Sequence, residues 1–371
     1  MRVLLVTEPS GGGSGRHVLD LARGLVERDH DVTVAWSPVR AEPNWVRSLE
    51  SMECVRTVSL DMYRSVGAHD FKTWRALSRM VRETGPYDVL HGHSSKAGAL
   101  VRILPLQLPG ARVYTPHAFR TMDPGISGRG RLVFGSIERL LGGLGAGVIA
   151  VSKAELEHAR ALGMGADKTV MIVNGVDPVE AEDRAAVRDR LGLPDDAFAV
   201  GFVGRFSDQK DPLRFVRAIR SAQARDPRIV GVLIGDGELA DAVREECASA
   251  AFRSTGWIDA RRVMSGLDLL AMTSRYEAMP YVLLEAASAG LPIVSTEVGG
   301  ASEVIDQGVN GYILAQEASP ESIGKAIAQI SASGEFQREA RKASLARAAR
   351  YSNAAMVDAT LQAYAQFGAR S

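Results

Sequence analysis

The sequence predicts an α/β chain built from two Rossmann-like domains. Three observations carry that expectation. Short apolar runs alternate with amphipathic stretches along the chain, which is the pattern of βαβ units. The alternation halts at a charged stretch, "VEAEDRAAVRDRLGLPDD", and then starts again. A chain of 371 residues is also long enough for two domains.

In the first half "RVLLV", "DVTVAW", "DVLHGH", "ARVYTPH", "GVIAVS" and "TVMIVN" read as strands. "HVLDLARGLVER", "FKTWRALSRMVRE" and "KAGALVRIL" read as helices between them. In the second half the strands are "FAVGFVG", "RIVGVLIGD", "LDLLAMTS", "PIVSTEV" and "GYILA". The linker is expected near 176–186. The domains are then 1–178 plus 353–371 and 179–352. The closing helix, 353–367, carries Met356, Leu361 and Tyr364 along one side. It has no slot in the second βα pattern, so it is expected to cross back to the first domain.

The totals bound the function. The chain has 44 basic and 44 acidic residues, which argues against a dedicated nucleic-acid binder. Cys54 and Cys247 lie far apart without metal-ligand spacing and read as structural thiols of a reducing compartment. The chain opens directly on a strand and a glycine loop, "RVLLVTEPSGGGSG", so no signal peptide is expected. No apolar run reaches the roughly 18–20 residues that span a bilayer. "LLGGLGAGVIAVS" comes nearest and reads as a helix end followed by a strand. A cytoplasmic protein is expected.

The stretch "RYEAMPYVLLEAASAGLPIVSTEVGG" (275–300) holds two glutamates, Glu277 and Glu285, around a small apolar segment. An unpaired buried charge costs several kcal/mol, so each should meet water, a partner or a ligand. "DLLAMTS" before it reads as a buried parallel strand, and "YVLLEAASA" after it as a helix with Pro280 in its first turn. Glu277 then sits where a strand's carboxyl end meets a helix N-terminus, the ligand crevice of a doubly wound sheet. Glu285 lies one to two turns along that helix.

Two Rossmann-like units invite an NAD-dependent dehydrogenase as the alternative. The loop Gly11-Gly12-Gly13-Ser14-Gly15-Arg16-His17 does not fit G-x-G-x-x-G, because Arg16 falls where the third glycine belongs. The second strand ends "VTVAWSP", with no carboxylate for a ribose, and Arg205 interrupts the corresponding loop of the second half. A glycine loop at a helix N-terminus still suits an anion, or simply a tight turn. Arg205 and Lys210 in "VGRFSDQKD" follow a buried strand and precede a helix opened by Asp211 and Pro212. That placement suits neutralising a diphosphate without a metal. The one D-x-D, "DHD" at 29–31, lies in a turn at the wrong end of the sheet, and the histidines lack zinc-type spacing with carboxylates. No metal and no cofactor are expected.

With these residues in order, the chain resembles glycosyltransferase family 4, retaining enzymes of the GT-B fold. The spacing Glu277 to Glu285 matches its E-x7-E element. The resemblance extends over "GGGSGRHVLDLARGL", "DVLHGHSSKAG", "YTPHAF", "VSKAELEHA", "IVNGVD", "IGDGEL", "TGWIDA" and "GGASEVIDQGVNGYIL". It departs where the second cation motif usually continues Lys-Gly, since this chain has Lys210-Asp211. Asp211 as a helix cap accounts for that difference.

The resemblance implies two domains facing across a cleft, and a role for each matched residue. Glu285 would hold the donor ribose, and Glu277 the transferred sugar. Backbone groups from Ala278, Met279, Tyr281 and Val282 would meet sugar or phosphate. Arg205 and Lys210 would grip the diphosphate. Gly256, Trp257 and Ile258 would border the base, although Trp257 could equally be a half-buried structural aromatic. Gly13 and Gly15 would let the loop approach the phosphate, and His117 would stand beside the sugar. Arg16, His17, His93, Lys96 and Arg120 fall on the acceptor side, with His91 as a buried alternative. Arg205, Lys210, Glu277 and His117 are the catalytic set.

The reaction so implied moves a sugar from a nucleotide-diphosphate donor, a UDP-sugar favoured, to a saccharide acceptor. The matched motifs look like bacterial enzymes that extend surface polysaccharides on lipid-linked acceptors, which adds peripheral contact with the inner membrane as an expectation. A soluble acceptor or a GDP-sugar donor is the alternative within the family; a non-catalytic sugar-nucleotide-binding protein is a further alternative, which should lack Glu277 or His117, and both are present.

Overall fold

A computed structural model of the chain describes residues 1–178, 182–247 and 251–369. The chain forms two compact units, Met1–Gly175 with Asn353–Ser371, and Val176–Ser352. Residues 179–181 of the expected linker, and the expected boundary at 178/179, lie outside the described residues.

Unit 1 begins with β1 (Arg2–Thr7), α1 (Gly12–Val26), β2 (Asp31–Trp36), α2 (Pro43–Glu50), β3 (Val55–Ser59) and α3 (His69–Thr84). It continues with β4 (Val89–His93), α4 (Ser94–Arg102), β5 (Ala111–Thr115), α5 (Gly128–Gly142), β6 (Gly147–Ala150), α6 (Lys153–Ala161) and β7 (Thr169–Met171). The strands are parallel in the order β3-β2-β1-β4-β5-β6-β7. Their interior residues, such as Val3, Leu4, Leu5 and Val6, are fully buried, as a sheet covered on both faces requires.

Unit 2 contains α7 (Arg184–Arg190), β8 (Phe198–Val203), α8 (Pro212–Gln223), β9 (Ile229–Ile234), α9 (Ala240–Glu246), β10 (Phe252–Ser254) and α10 (Ala260–Val263). Then come β11 (Leu269–Met272), α11 (Tyr281–Ser288), β12 (Ile293–Thr296), α12 (Ala301–Val304), β13 (Gly311–Leu314), α13 (Pro320–Ser331) and α14 (Gly334–Ala348). Its parallel sheet runs β10-β9-β8-β11-β12-β13. Phe202, Phe206 and Phe215 form the aromatic centre of its core.

The last helix, α15 (Asn353–Gln366), belongs to unit 1, as the sequence predicts. A Cβ on Gly24 of α1 would lie 2.5 Å from Val357, so glycine lets the two helices meet. The Tyr364 hydroxyl lies 2.8 Å from His91 Nδ1, and Arg28 pairs with Asp358 at 2.7 Å.

Some expectations need correction. Two strands, β3 and β10, were absent from the sequence reading. Both are edge strands; β3 has no buried residue and β10 buries Phe252 alone, so neither offers an apolar run. Pro280 is the N-cap of α11 rather than a residue of its first turn. Cys54 is exposed, so it is no structural thiol; burial pushes the Cys247 thiol up to about 11.

Candidate functional sites

In a doubly wound sheet, ligands bind at the carboxyl ends of the strands where the strand order reverses. In unit 2 that point lies between β8 and β11. The loop after β8 carries Arg205 and Lys210, and the loop after β11 carries Glu277. Lys210 Nζ stands 2.6 Å from Glu277 Oε1, so the structure joins two residues that sequence places 67 positions apart. Arg205 lies exposed on the same loop.

Both loops are built from close backbone approaches. Gly235 and Gly237, after β9, pack on the first loop; a Cβ on Gly235 would come within 1.9 Å of the Gly204 carbonyl oxygen. The Phe206 N–H donates to the Asp236 carbonyl at 2.8 Å. On the other side, a Cβ on Gly299 would meet the Glu277 and Ala278 carbonyl oxygens at 2.6 and 2.7 Å. "IGDGEL" and "GGASEV" thus hold the charged loops in place. Asp211 caps α8, accepting from the Arg214 N–H at 3.2 Å.

Three further residues tie the loops together and were missed in the sequence. The Arg275 N–H donates to the Gln209 carbonyl at 2.8 Å, and the Gln209 side chain donates to the Tyr276 carbonyl at 3.0 Å. Arg275 also faces Asp211 at 3.4 Å. Their proximity follows from β8 and β11 being neighbours, which no local pattern announces.

Glu285 is buried within α11 and lines a pocket of about 250 Å³ with Met264, Ser288, Arg261 and Arg341. The pocket lies toward the carboxyl end of α11 rather than at Glu277. Ala278, Met279, Tyr281 and Val282 are buried around the start of α11, with the Tyr281 and Val282 N–H groups in its first turn. Gly256, Trp257 and Ile258 follow β10. Trp257 is 64% exposed, which overturns the half-buried structural alternative.

In unit 1 the order reverses between β1 and β4. His93 ends β4, and His117 follows β5 with a positive φ of 52°, as does Ala118 at 80°. His17 comes from α1. His93 Nδ1 and His117 Nε2 are 3.1 Å apart, and the His17 and His117 rings meet edge to face at 4.8 Å. His17 Nδ1 lies 3.0 Å from the Asn174 side-chain oxygen, and a neutral ring donates there, leaving Nε2 as an acceptor. His91, behind them, is held by Tyr364 and Thr115.

Burial dominates this group's electrostatics. Desolvation lowers His17 to about 4 and holds His91, His93 and His117 well below the usual imidazole range, with neighbouring imidazoles adding to the shift of the last three. All four are neutral near pH 7. His17, His93 and His117 offer ring nitrogens within 4.8 Å of one another, a convergence that no spacing in the sequence announces. This triad contains no carboxylate, and the direct His93–His117 contact engages one nitrogen of each ring.

Glu155 of α6 is a further residue that sequence reasoning missed. Its fully buried carboxylate accepts from the Ala118 N–H at 2.6 Å and the Val151 N–H at 2.8 Å. It therefore holds the left-handed turn that carries His117. Burial raises its pKa to about 7, against the lowering effect of those two N–H groups.

The remaining unit 1 candidates have local partners. Arg16 pairs with Asp20 at 3.4 Å, Lys96 with Asp70 at 2.6 Å and Arg120 with Asp123 at 3.0 Å. Gly13 is exposed in the first turn of α1. Gly15 is buried, and a Cβ there would lie 2.8 Å from Trp45 Nε1, so helix packing already accounts for it. The Gly12 N–H donates to Glu42 Oε2 at 3.2 Å, which puts a carboxylate at the N-terminus of α1.

Comparison with known proteins agrees with this geometry. Residues 12–175 match the glycosyl transferase 4-like domain, and residues 197–333 match the glycosyl transferases group 1. An uncharacterized glycosyltransferase of Methanocaldococcus jannaschii is 26% identical over 344 residues, covering 86% of this chain and 85% of that protein. The Escherichia coli UDP-Gal:alpha-D-GlcNAc-diphosphoundecaprenol alpha-1,3-galactosyltransferase is 27% identical over 260 residues, 66% of each chain. The crystal structure of Anabaena Alr3699/HepE superposes with a TM-score of 0.81 at 21% identity, covering 98% of this chain and 99% of that one. The chain is a glycosyltransferase of the GT-B fold, related to enzymes of bacterial surface-polysaccharide and lipopolysaccharide synthesis.

Proposed function

We propose that this chain is a retaining glycosyltransferase that takes a sugar from a nucleotide-diphosphate donor, a UDP-sugar favoured. Its acceptor is a lipid-linked saccharide at the cytoplasmic face of the membrane, in surface-polysaccharide synthesis. The observation that carries this reading is the Lys210–Glu277 pair at the strand switch of unit 2. The name of the Escherichia coli relative supports both the UDP donor and the lipid-linked acceptor. No helix among the described residues is long and apolar enough to cross a membrane, so such an acceptor would be met at the surface.

In this reading Lys210 and Arg205 receive the charge that builds on the leaving diphosphate. Fixed cations aimed at developing charge act without reorganising during the reaction. Lys210 meets Glu277 before donor binds, so the carboxylate holds the ammonium in place. Glu277 then faces the sugar near its reacting carbon, and the bond to diphosphate loosens to an oxocarbenium-like sugar. A phosphate oxygen on the same face takes the acceptor proton, which gives retention without a covalent carboxylate intermediate. Neutral His117 hydrogen-bonds a sugar hydroxyl. The two cations supply the neutralisation, and no metal is required.

Thermal shift with UDP-, GDP- and ADP-sugars tests the donor class. A ligand at 100 times its dissociation constant adds about 2.7 kcal/mol of stability. Stabilisation by UDP-sugars above the others is expected. A response to NAD alone would overturn the reading in favour of a dehydrogenase.

A further inference from the structure

Two histidines alternate on β4, and the fold treats them differently. His91 and His93 share one face of the strand, with ring centres 4.0 Å apart. Both nitrogens of His91 are partnered, Nδ1 by the Tyr364 hydroxyl at 2.8 Å and Nε2 by the Thr115 hydroxyl at 2.9 Å. That is how a core histidine is satisfied. His93 is as fully buried, yet its Nε2 has no hydrogen-bond partner among the described residues. Its other nitrogen, Nδ1, faces Nε2 of His117 at 3.1 Å. A buried polar atom left unpaired is uncommon in native interiors and asks for a reason.

The surrounding geometry supplies one. Three imidazoles on one tetrahedral zinc, with Zn–N bonds of about 2.0–2.1 Å, bring their nitrogens to about 3.3 Å and their ring centres to about 5 Å from one another. Here the ring centres of His17, His93 and His117 lie 4.8 to 5.4 Å apart. The His93–His117 nitrogen pair, at 3.1 Å, already has the length of one edge of such a tetrahedron. His17 donates from Nδ1 to the Asn174 side-chain oxygen at 3.0 Å, which leaves its Nε2 as a lone pair. An oxygen that fixes the outer nitrogen of a ring in this way is the usual support of a ligating histidine. One hydrogen lies between His93 and His117. Carried from Nδ1 to the unpartnered Nε2 of His93, it frees both facing nitrogens as ligands, and no proton is lost. His117 is partly exposed, which gives an ion a way in and a water the fourth position.

We propose that His17, His93 and His117 form a Zn²⁺ site in unit 1, and that the bound ion inhibits sugar transfer. Imidazole donors without a carboxylate suit zinc, copper and nickel, whereas Mg²⁺ and Mn²⁺ favour oxygen ligands. Three histidines and a water make a four-coordinate set that zinc accepts. Inhibition follows from the position of His117. An ion on its Nε2, carrying a water, takes the place that the proposed function gives to a sugar hydroxyl. The ion is thus an inhibitor and no cofactor, and transfer itself still requires no metal. Binding stands on unit 1 alone, while the effect on transfer rests on the proposed function.

The test is equilibrium dialysis of chelator-stripped protein against Zn²⁺, with Co²⁺ as a coloured substitute. One tight equivalent per chain is expected, along with a visible Co²⁺ band that Zn²⁺ abolishes and excess Mg²⁺ does not. His17→Gln should remove the tight equivalent. His30, His69, His91 and His158 all remain in that variant, so adventitious binding at other imidazoles would survive it. Asn174→Ala keeps the three ligands and should weaken binding about 10–100-fold. Unfolding midpoints of the metal-free variants will show that they fold, and Asn174→Ala decides the matter if His17→Gln does not fold. Absence of a tight equivalent in wild type, or wild-type affinity in either folded variant, overturns the site. At ten times its dissociation constant Zn²⁺ leaves about one site in eleven free, so turnover of a UDP-sugar should fall about ten-fold and recover with chelator. Undiminished transfer by zinc-loaded protein overturns the inhibition. Zinc binding by a protein that no nucleotide sugar stabilises leaves the site standing and removes the proposed function instead.

Discussion

A single buried carboxylate, Glu155, decides the geometry of a candidate site residue without touching a ligand. His117 and Ala118 both adopt left-handed backbone, a conformation that non-glycine residues keep only when their surroundings impose it. The two N–H bonds into Glu155 are that imposition. Glu155→Ala would leave both donors without their acceptor, at a cost of roughly 1–3 kcal/mol for a buried group. Denaturant unfolding should show a loss in that range, with Glu155→Gln losing less because its amide oxygen still accepts. A Glu155→Ala protein as stable as wild type would show that the turn is held by something else. Glu277 and Lys210 were legible in the sequence because each sits in a distinctive local motif. Glu155 was not, since its "VSKAELEHA" setting reads as an ordinary helix start and its second partner is 37 residues away.

Among the elements, β4, β5 and α1 bring four histidines together, and burial keeps them neutral. Each has a folded-state pKa below its unfolded value, so the unfolded chain binds more protons below pH 6.5. Stability is then fully present above pH 6.5 and is lost as pH falls through the folded values. A fall from 6.5 to about 4 makes His17 alone responsible for about 2 kcal/mol at pH 5. Glu155 acts in the opposite sense, because its raised pKa favours the folded state as pH falls from 7 toward 4.5, by about the same amount. The other three histidines decide the sign, and unit 1 should lose stability from pH 7 to pH 5. Tryptophan fluorescence reads this, since Trp36, Trp45 and Trp74 lie in unit 1 and Trp257→Phe removes the one in unit 2. A midpoint that is flat or rises on acidification contradicts the balance. The sequence could not show the cluster, as "HGHSS" and "TPHAF" meet only through the β4–β5 pairing. The edge strands β3 and β10 were hidden for a related reason. Periodicity reports burial, and edge strands with exposed side chains carry little of it.

At the scale of the whole molecule, the two units repeat one plan. Each is a parallel sheet whose order reverses once, with charged or histidine-bearing loops at the carboxyl ends flanking the reversal. That plan was readable because buried parallel strands are near-continuous apolar runs, and because the closing helix had no partner in the second unit's pattern. The pairing of Lys210 with Glu277 was not readable, although both residues were, because it depends on β8 and β11 lying side by side. We propose that this pair and Arg205 drive departure of the diphosphate without a metal. The most direct measurement is release of UDP from a UDP-sugar under varied donor, for wild type and Lys210→Ala, with and without EDTA. Wild-type kcat should be unchanged by EDTA, and Lys210→Ala should lower it on the order of 10²–10³ with a smaller change in KM, as loss of one group that stabilises developing charge requires. A normal kcat in Lys210→Ala, or wild-type activity lost in EDTA and restored by Mg²⁺ or Mn²⁺, would contradict it.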